Sequence, residues 1–373
     1  MLPFPIMNQY GNQIIITNIK DIRVSQLNSV LVLMQDGRLY GFGDNAQGEL
    51  GQGNQSAYPN FVLIDTGVDA IWGGVASCMY RKDGVYYASG LVTFVGSANI
   101  TYTTYTNVNS IFGSLDLNNI KKIDIDNSMY VLMNDGSLYG CGGNANGQLG
   151  TGNTIRVNSI TKIQTDVTDF KIFPENRVFI LKGTELYSAG NNLNGQLGCS
   201  ADFVNITSFT KVTKFSTVTN LDNLSGTNRA TYYNNNGTVY ASGSPDYYRF
   251  GDNSTTSNIT LFSKVLTTLP STFNGKIFMT KCNQGSCIFG GTDGLYAAGT
   301  NIYGFGNPLR AITTFSKMST IDIIDYSKIN LLIGTNKGTY YAIDNVLYST
   351  GAANNVPGYI NGSNVFVKSG TPT

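Results

Sequence analysis

Apolar and polar positions follow one phrase that returns seven times along the chain. At 31–43 it reads LVLMQDGRLYGFG: an apolar run, a polar pair ending in Gly, then a short run around Tyr that closes on a small residue and Gly. It returns as YRKDGVYYASG (80–90), VLMNDGSLYGCG (131–142), FILKGTELYSAG (179–190), YYNNNGTVYASG (232–243), IFGGTDGLYAAG (288–299) and YYAIDNVLYSTG (340–351). The tyrosines Tyr40, Tyr87, Tyr139, Tyr187, Tyr240, Tyr296 and Tyr348 are spaced 47 to 56 residues apart. Each phrase predicts two antiparallel strands and a tight turn, with residues such as Gly37 and Gly136 supplying the positive φ. The closing glycines, among them Gly43, Gly142 and Gly190, predict close backbone approach. Alternating segments lie upstream (IKDIRV at 19–24, IKKIDI at 120–125, FKIF at 170–173) and downstream (NFVLID at 60–65, SITKIQ at 159–164). They add a strand on either side, so each unit holds four short strands.

Four antiparallel strands per unit, repeated in series, predict an all-β protein: a seven-bladed β-propeller spanning 1–373 as one domain. The blades fall roughly at 19–66, 67–118, 119–166, 167–216, 217–269, 270–318 and 319–368. QIIIT (13–17) and NVFVK (364–368) are left over at the two ends. Pairing them would close the ring and remove two exposed edges. A solenoid of the same period would need capping repeats and parallel strands.

Three units carry a second phrase: GDNAQGELGQGN at 43–54, GGNANGQLGTGN at 142–153 and GNNLNGQLGCS at 190–200. Its fixed points are Gly48, Leu50 and Gly51; Gly147, Leu149 and Gly150; and Gly195, Leu197 and Gly198. Asp-Gly, Leu-Tyr, small-small-Gly, Asn and Gly-Gln-Leu-Gly in this order resemble the repeat of the regulator of chromosome condensation family. Unit two has a long stretch instead (91–119), unit five GSPDYYRFGDNS (243–254), unit six GTNIYGFGN (299–307) and unit seven GAANNVPG (351–358). WD repeats need a Trp-Asp per blade, and the single tryptophan is Trp72; kelch-like paired glycines fall at inconsistent offsets. The resemblance implies a seven-bladed disc closed by mixing terminal strands. Its functional implications are guanine-nucleotide exchange on a small GTPase with chromatin binding, or inhibition of an enzyme by one face of the ring. The family's repeat commonly carries a His before the hairpin. Here Asn28-Ser29 and Asn127-Ser128 hold that place, and the chain has no histidine.

Composition changes the picture at the partners. Charged residues are 13% and the net charge is +1, so nothing favours nucleic acid as a partner, and the family's chromatin reading lacks a basic tail. No run approaches a membrane span, and the N-terminus lacks a basic n-region and cleavage pattern. The expected location is the cytoplasm or an assembled particle. Gly (43) and Tyr (23) among abundant Asn and Thr resemble virion surface proteins in composition. The cysteines Cys78, Cys141, Cys199, Cys282 and Cys287 are odd in number and scattered, which predicts reduced thiols.

Candidate chemistry is sparse. Without histidine, catalysis would need paired carboxylates, an activated Lys or a Cys with another base. Asp124 and Asp126 alternate on one strand and read as a solvated face or channel rim, as do Asp322 and Asp325. Cys282 and Cys287 lack further ligands for zinc, and GGNANGQLGTGN has no Gly-Lys-Ser/Thr of a phosphate loop. The expectation is no catalytic residue, no metal, no cofactor and no enzyme. Binding of one or more proteins is the favoured role, as an interaction or structural module, with a virion component among the possibilities. Two segments are candidates for contact. GSANITYTTYTNVNSIFGS (96–114) carries Tyr102, Tyr105 and Phe112, either as a protruding loop or packed along the disc. PDYYRF (245–250) carries Tyr247, Tyr248 and Arg249, residue types of interface hot spots, with blade core as the other reading.

Overall fold

In the computed structural model the described residues are 18–94, 96, 99–278, 286–299 and 312–317, together with strands at 329–334, 338–343, 346–351 and 367–368. They form four-stranded antiparallel sheets, each ordered first to fourth strand along the chain, at 19–65, 68–107, 120–164, 169–211, 224–265, 273–317 and 329–368. The expectation of a seven-bladed propeller needs correction to six full blades. Six sheets are full blades, with every strand three residues or longer, whereas the last has a fourth strand of only two residues, Val367–Lys368. That strand pairs with Val346–Gly351. The proposed partner strand at 13–17 lies outside the described residues.

The first strands of successive sheets touch, which puts them nearest the axis. Burial explains the pattern of each strand. The second strand is buried on both faces: Ser29–Met34 (SVLVLM) and Ser128–Met133 (SMYVLM) are buried at every position, hence unbroken apolar runs. The first strand Ile19–Val24 alternates between buried and wet, and the fourth strands lie at the exposed rim. Apolar layers fill the gaps between sheets. Leu31, Leu33, Leu39 and Leu50 of the first blade meet Val68, Ile71 and Tyr80 of the second. Tyr130, Leu132 and Leu138 of the third meet Phe170, Val178 and Ile180 of the fourth. Pairing between third and fourth strands shifts register beside the closing glycines, as at Gly41/Gly43, Gly140/Gly142 and Ser188/Gly190. The small-small-Gly ending therefore marks a bulge.

Polar staples join the first strands. Lys20 Nζ donates to the Asp69 carbonyl of the next blade (2.8 Å), and Lys121 Nζ to that of Thr168 (2.7 Å). Lys122 reaches Asp169 and the Phe170 carbonyl, and Lys171 donates to the carbonyls of Leu221 and Leu224. Burial pulls the Lys171 ammonium down to about 8.

Candidate interaction surface

The four-stranded plan gives the disc two unlike faces. One carries the turns between second and third strands. The other carries the first-to-second turns and the loops between third and fourth strands, where the Gly-Gln-Leu-Gly phrase sits. In that phrase a buried Asn organises the loop. Asn45 Oδ1 accepts from Leu50 N (2.8 Å), Asn144 Oδ1 from Leu149 N (2.9 Å) and Asn192 Oδ1 from Leu197 N (2.9 Å). Their amide nitrogens reach across to loop carbonyls, Ser56, Ile155 and Asp202 among them.

The phrase also locks each blade onto the next. Gly51 lies on the ring of Tyr105, Gly150 on Phe209, Gly198 on Phe262 and Gly251 on Phe315, each ring on the next blade's fourth strand. A Cβ on any of these glycines would fall well under 3.0 Å from a ring carbon. Isolated bridges Gln52↔Thr104, Thr151↔Ser208 and Asp252↔Thr314 mark the same joints.

This geometry relocates the first candidate segment. Residues 96–114 are not one protruding loop, because Ile100–Asn107 is the second blade's fourth strand and pairs with Val85–Val92. Tyr102 packs against the core between blades two and three. Tyr105 is the ring wedged beneath Gly51, 4.6 Å from Tyr80, and Phe112 is wholly buried. In this structure the segment takes the packed arrangement, with the Tyr105 ring filling the space against Gly51. The signal was present in the sequence: Tyr-Thr-Thr-Tyr at 102–105 stands where the other fourth strands read Ile-Thr-Ser-Phe (206–209), Ile-Thr-Leu-Phe (259–262) and Ile-Thr-Thr-Phe (312–315). What the second blade adds is a longer crossover, with short 3-10 turns at Asn109–Phe112 and Leu117–Asn119. It walls a cleft of about 650 Å³ lined by Asp69, Arg81, Tyr86 and Asp116.

PDYYRF is the fifth blade's version of the phrase. Tyr248 takes the place of Gly48, Gly147 and Gly195 and keeps their left-handed backbone, at φ 60°. Phe250 takes the place of the leucine, and Gly251 keeps its aromatic partner. Arg249 is fully buried, which corrects its assignment as a contact residue; it stands where Glu49, Gln148 and Gln196 stand. Tyr248 is half-buried, whereas Tyr247 is exposed and stacks its ring over the Arg249 guanidinium (5.7 Å).

Other acidic and basic groups have structural partners. Asp126 lies in the turn after Ile120–Ile125, buried, and accepts from Gln26 Nε2 at 2.6 Å. Arg177, wholly buried at the joint of blades four and five, donates to the Pro174 and Thr227 carbonyls and to Thr231 Oγ1. Burial lowers its pKa to about 10. Asp322, Asp325 and Cys282 lie outside the described residues, and Cys287 is buried.

Exposed apolar side chains among the described residues include Leu27, Leu63, Ile100, Leu261 and Val265, and a group of them stands on the phrase loops of blades three to five. Ile155 is 72% exposed, Leu193 54%, Phe203 47% and Val204 55%. The Phe203 ring lies against the turn at Gly195. Sequence reasoning missed these residues, since none belongs to the repeat and an isolated apolar loop residue carries no period.

The comparisons agree with this architecture. Residues 135–169 match the family model of the Regulator of chromosome condensation (RCC1) repeat. No curated protein sequence matches the chain. Among solved structures, human WBSCR16 shares 14% identity with a TM-score of 0.70, over 90% of this chain and 94% of that one. Prp20p from Saccharomyces cerevisiae, described with its binding to Gsp1p and histones, shares 16% with a TM-score of 0.67, over 89% and 82%. Yeast RCC1 (Prp20) in complex with Kap60 gives 12% and 0.70, over 99% and 91%. The chain carries an RCC1 repeat and an RCC1-like propeller fold.

Proposed function

We propose that this protein is a non-enzymatic protein-binding scaffold whose phrase-loop face, at blades three to five, receives the partner. The observation that carries the reading is the set Ile155, Leu193, Phe203, Val204 and Tyr247, exposed on the loops of one face. Apolar and aromatic side chains that water reaches on a rigid support mark contact surfaces. The RCC1-like neighbours described with bound proteins support the class of function. Capture from the native source with wild type and with Leu193→Ser/Phe203→Ser tests it. Partners held by wild type and lost by an equally stable double variant are expected; equal capture by both sinks this face as the site.

We also infer that the curtailed last sheet closes the ring against the first, completing seven blades. The apolar layer of the first sheet that holds Ile22, Val30 and Val32 includes no residue of the second blade among the described residues, yet these three are completely buried. In an open row of sheets they would be bare. Deleting 364–368 should expose them and lower the melting temperature; an unchanged melting temperature would refute closure.

Nucleotide exchange on a small GTPase is the second reading, favoured by the likeness to Prp20p. A nucleotide-release assay decides it, and acceleration abolished by Leu193→Ser/Phe203→Ser would unite the two readings on one face.

A further inference from the structure

The phrase holds a buried polar side chain at one position in the first, third, fourth and fifth blades, Glu49, Gln148, Gln196 and Arg249, and the first blade carries a carboxyl there. In the third blade Gln148 Oε1 accepts from Asn146 N (3.1 Å) while Nε2 donates to Ser128 Oγ (3.4 Å). In the fourth, Gln196 Oε1 accepts from Asn194 N (2.8 Å) and Nε2 donates to Asn191 Oδ1 (3.1 Å). The first blade has Glu49 instead, fully buried. One carboxyl oxygen repeats the first half of the pattern, accepting from Gln47 N (2.9 Å). The other, Oε1, stands where the glutamines place their amide nitrogen, and it has no hydrogen-bond partner. The residue matching Asn191 is Asp44, a second carboxylate, held by Asn28 Nδ2 at 3.3 Å, and Asn28 Oδ1 is likewise buried without a donor. Among the described residues, Glu49 Oε1 and Asn28 Oδ1 are therefore buried acceptors with no donor.

We propose that Glu49 is a neutral carboxylic acid in the folded protein, its proton serving as the donor that the side-chain amide supplies in Gln148 and Gln196, and that its loss loosens the loop at 44–54 from the second blade. Leaving a buried acceptor unsatisfied costs ~1–3 kcal/mol, and a buried unpaired charge costs more. One proton on Oε1 removes both penalties. The surroundings agree. Burial raises the Glu49 pKa, its bonds from backbone N–H groups oppose that, and Asp44 raises it further. Tyr105 of the second blade's fourth strand is the titratable group on the other side, with its hydroxyl donating to the Glu49 carbonyl at 3.4 Å. Ser89 donates to the same carbonyl (2.5 Å), and Gly90 approaches the Glu49 side chain. No lysine or arginine contributes to the field at Glu49.

The sign follows from linkage. A carboxyl whose folded pKa exceeds its unfolded value leaves stability intact below the unfolded value and removes it as pH rises through the folded one. The chain has no histidine, and Asp21, another carboxyl whose pKa burial raises, contributes equally to wild type and Glu49→Gln, so the difference between the two curves reads Glu49 between about pH 5 and about pH 7. Melting temperature across that range is the test, with wild type, Glu49→Gln and Asp44→Asn. Wild type should fall with rising pH. Glu49→Gln should match it at the acid end, lie above it at the neutral end, and lose most of the slope. Asp44→Asn, which removes the like charge, should leave a shallower slope than wild type. Hydrogen exchange should rise with pH in residues 44–54 of wild type and not of Glu49→Gln. Two results would overturn the proposal. One is a Glu49→Gln curve that runs parallel to wild type or below it throughout. The other is calcium chloride raising the neutral melting temperature of wild type and not of Glu49→Gln, which would mean that a cation rather than a proton neutralises the site.

Discussion

The two faces of this disc are built from the same strands and treat charge and space in opposite ways. At the hairpin face the charges are paired: Arg38 with Asp36, Lys82 with Asp65, Lys211 with Glu185 and Lys317 with Asp293. Some turn glycines there have open space around them: a Cβ on Gly84, Gly183 or Gly237 would meet nothing within 4 Å, whereas one on Gly37 or Gly136 would lie 3.2 Å from Gly67 or 3.4 Å from Val167. At the phrase face glycines such as Gly51, Gly150, Gly198 and Gly251 are wedged against the next blade's aromatic rings, and the exposed side chains include Ile155, Leu193, Phe203 and Val204. The difference teaches where the repeat is constrained. Gly84, Gly183 and Gly237 at the hairpin face need only a backbone conformation, whereas the phrase glycines Gly51, Gly150, Gly198 and Gly251 need conformation and contact together, because they join neighbouring blades.

That contrast breaks most sharply at a pair of glycines with similar backbones. Gly198 (φ 64°) and Gly183 (φ 60°) both occupy the left-handed region. Gly183→Ala should cost about 1 kcal/mol, the penalty of a Cβ in that conformation. Gly198→Ala adds a collision with the Phe262 ring and should cost ~3 kcal/mol or more, since overpacking adds to the backbone term. Denaturant unfolding of the two variants measures the difference. Equal losses would mean that the joint yields easily and that the faces are not distinct.

How legible this was in the sequence follows from the same distinction. Blade strands were legible because hairpin glycines and apolar runs lie within a few residues of one another, so local pattern carries them. The joints were not, because Gly51 and Tyr105 belong to different repeats and each reads as ordinary alone. Tyr102, Tyr105 and Phe112 therefore left a protruding loop and a packed insertion both open, although their spacing matches the fourth strands of later blades. Arg249 read as a hot spot because the fifth blade spells the phrase with tyrosine and arginine in place of glycine and glutamine. The exposed set of Ile155, Leu193, Phe203 and Val204 was invisible for the converse reason. Exposure of a loop residue depends on what the fold leaves uncovered.

The functional side of the comparison is a smaller effect in energy. Leu193→Ser/Phe203→Ser should weaken partner binding by about 1–2 kcal/mol, roughly tenfold, with stability within about 0.5 kcal/mol of wild type. Breaking the ion pair at the other face, by Asp36→Asn/Arg38→Gln, should leave binding unchanged. Titration of the captured partner against both variants sharpens the assignment. Reversal of the two results would move the binding surface to the hairpin face.

The smallest expected effect concerns Tyr248, where the phrase face breaks its own rule. Gly48, Gly147 and Gly195 hold φ between 77° and 83°, and Tyr248 holds 60° with a full side chain. A left-handed backbone costs a non-glycine residue ~1–2 kcal/mol, so the fifth blade bears strain that the others avoid. Ala at 248 would keep the strain and lose the ring. Gly would lose the same ring and release the strain, while adding freedom to the unfolded chain. In regular structure Ala outranks Gly by about 1 kcal/mol, and here the order should invert, with Tyr248→Gly the more stable by ~1 kcal/mol. Thermal unfolding of the two variants side by side reads the inversion directly. If Tyr248→Ala proves the more stable, the backbone at 248 relaxes once the ring is gone, and the fifth blade does not share the glycine geometry of the first, third and fourth.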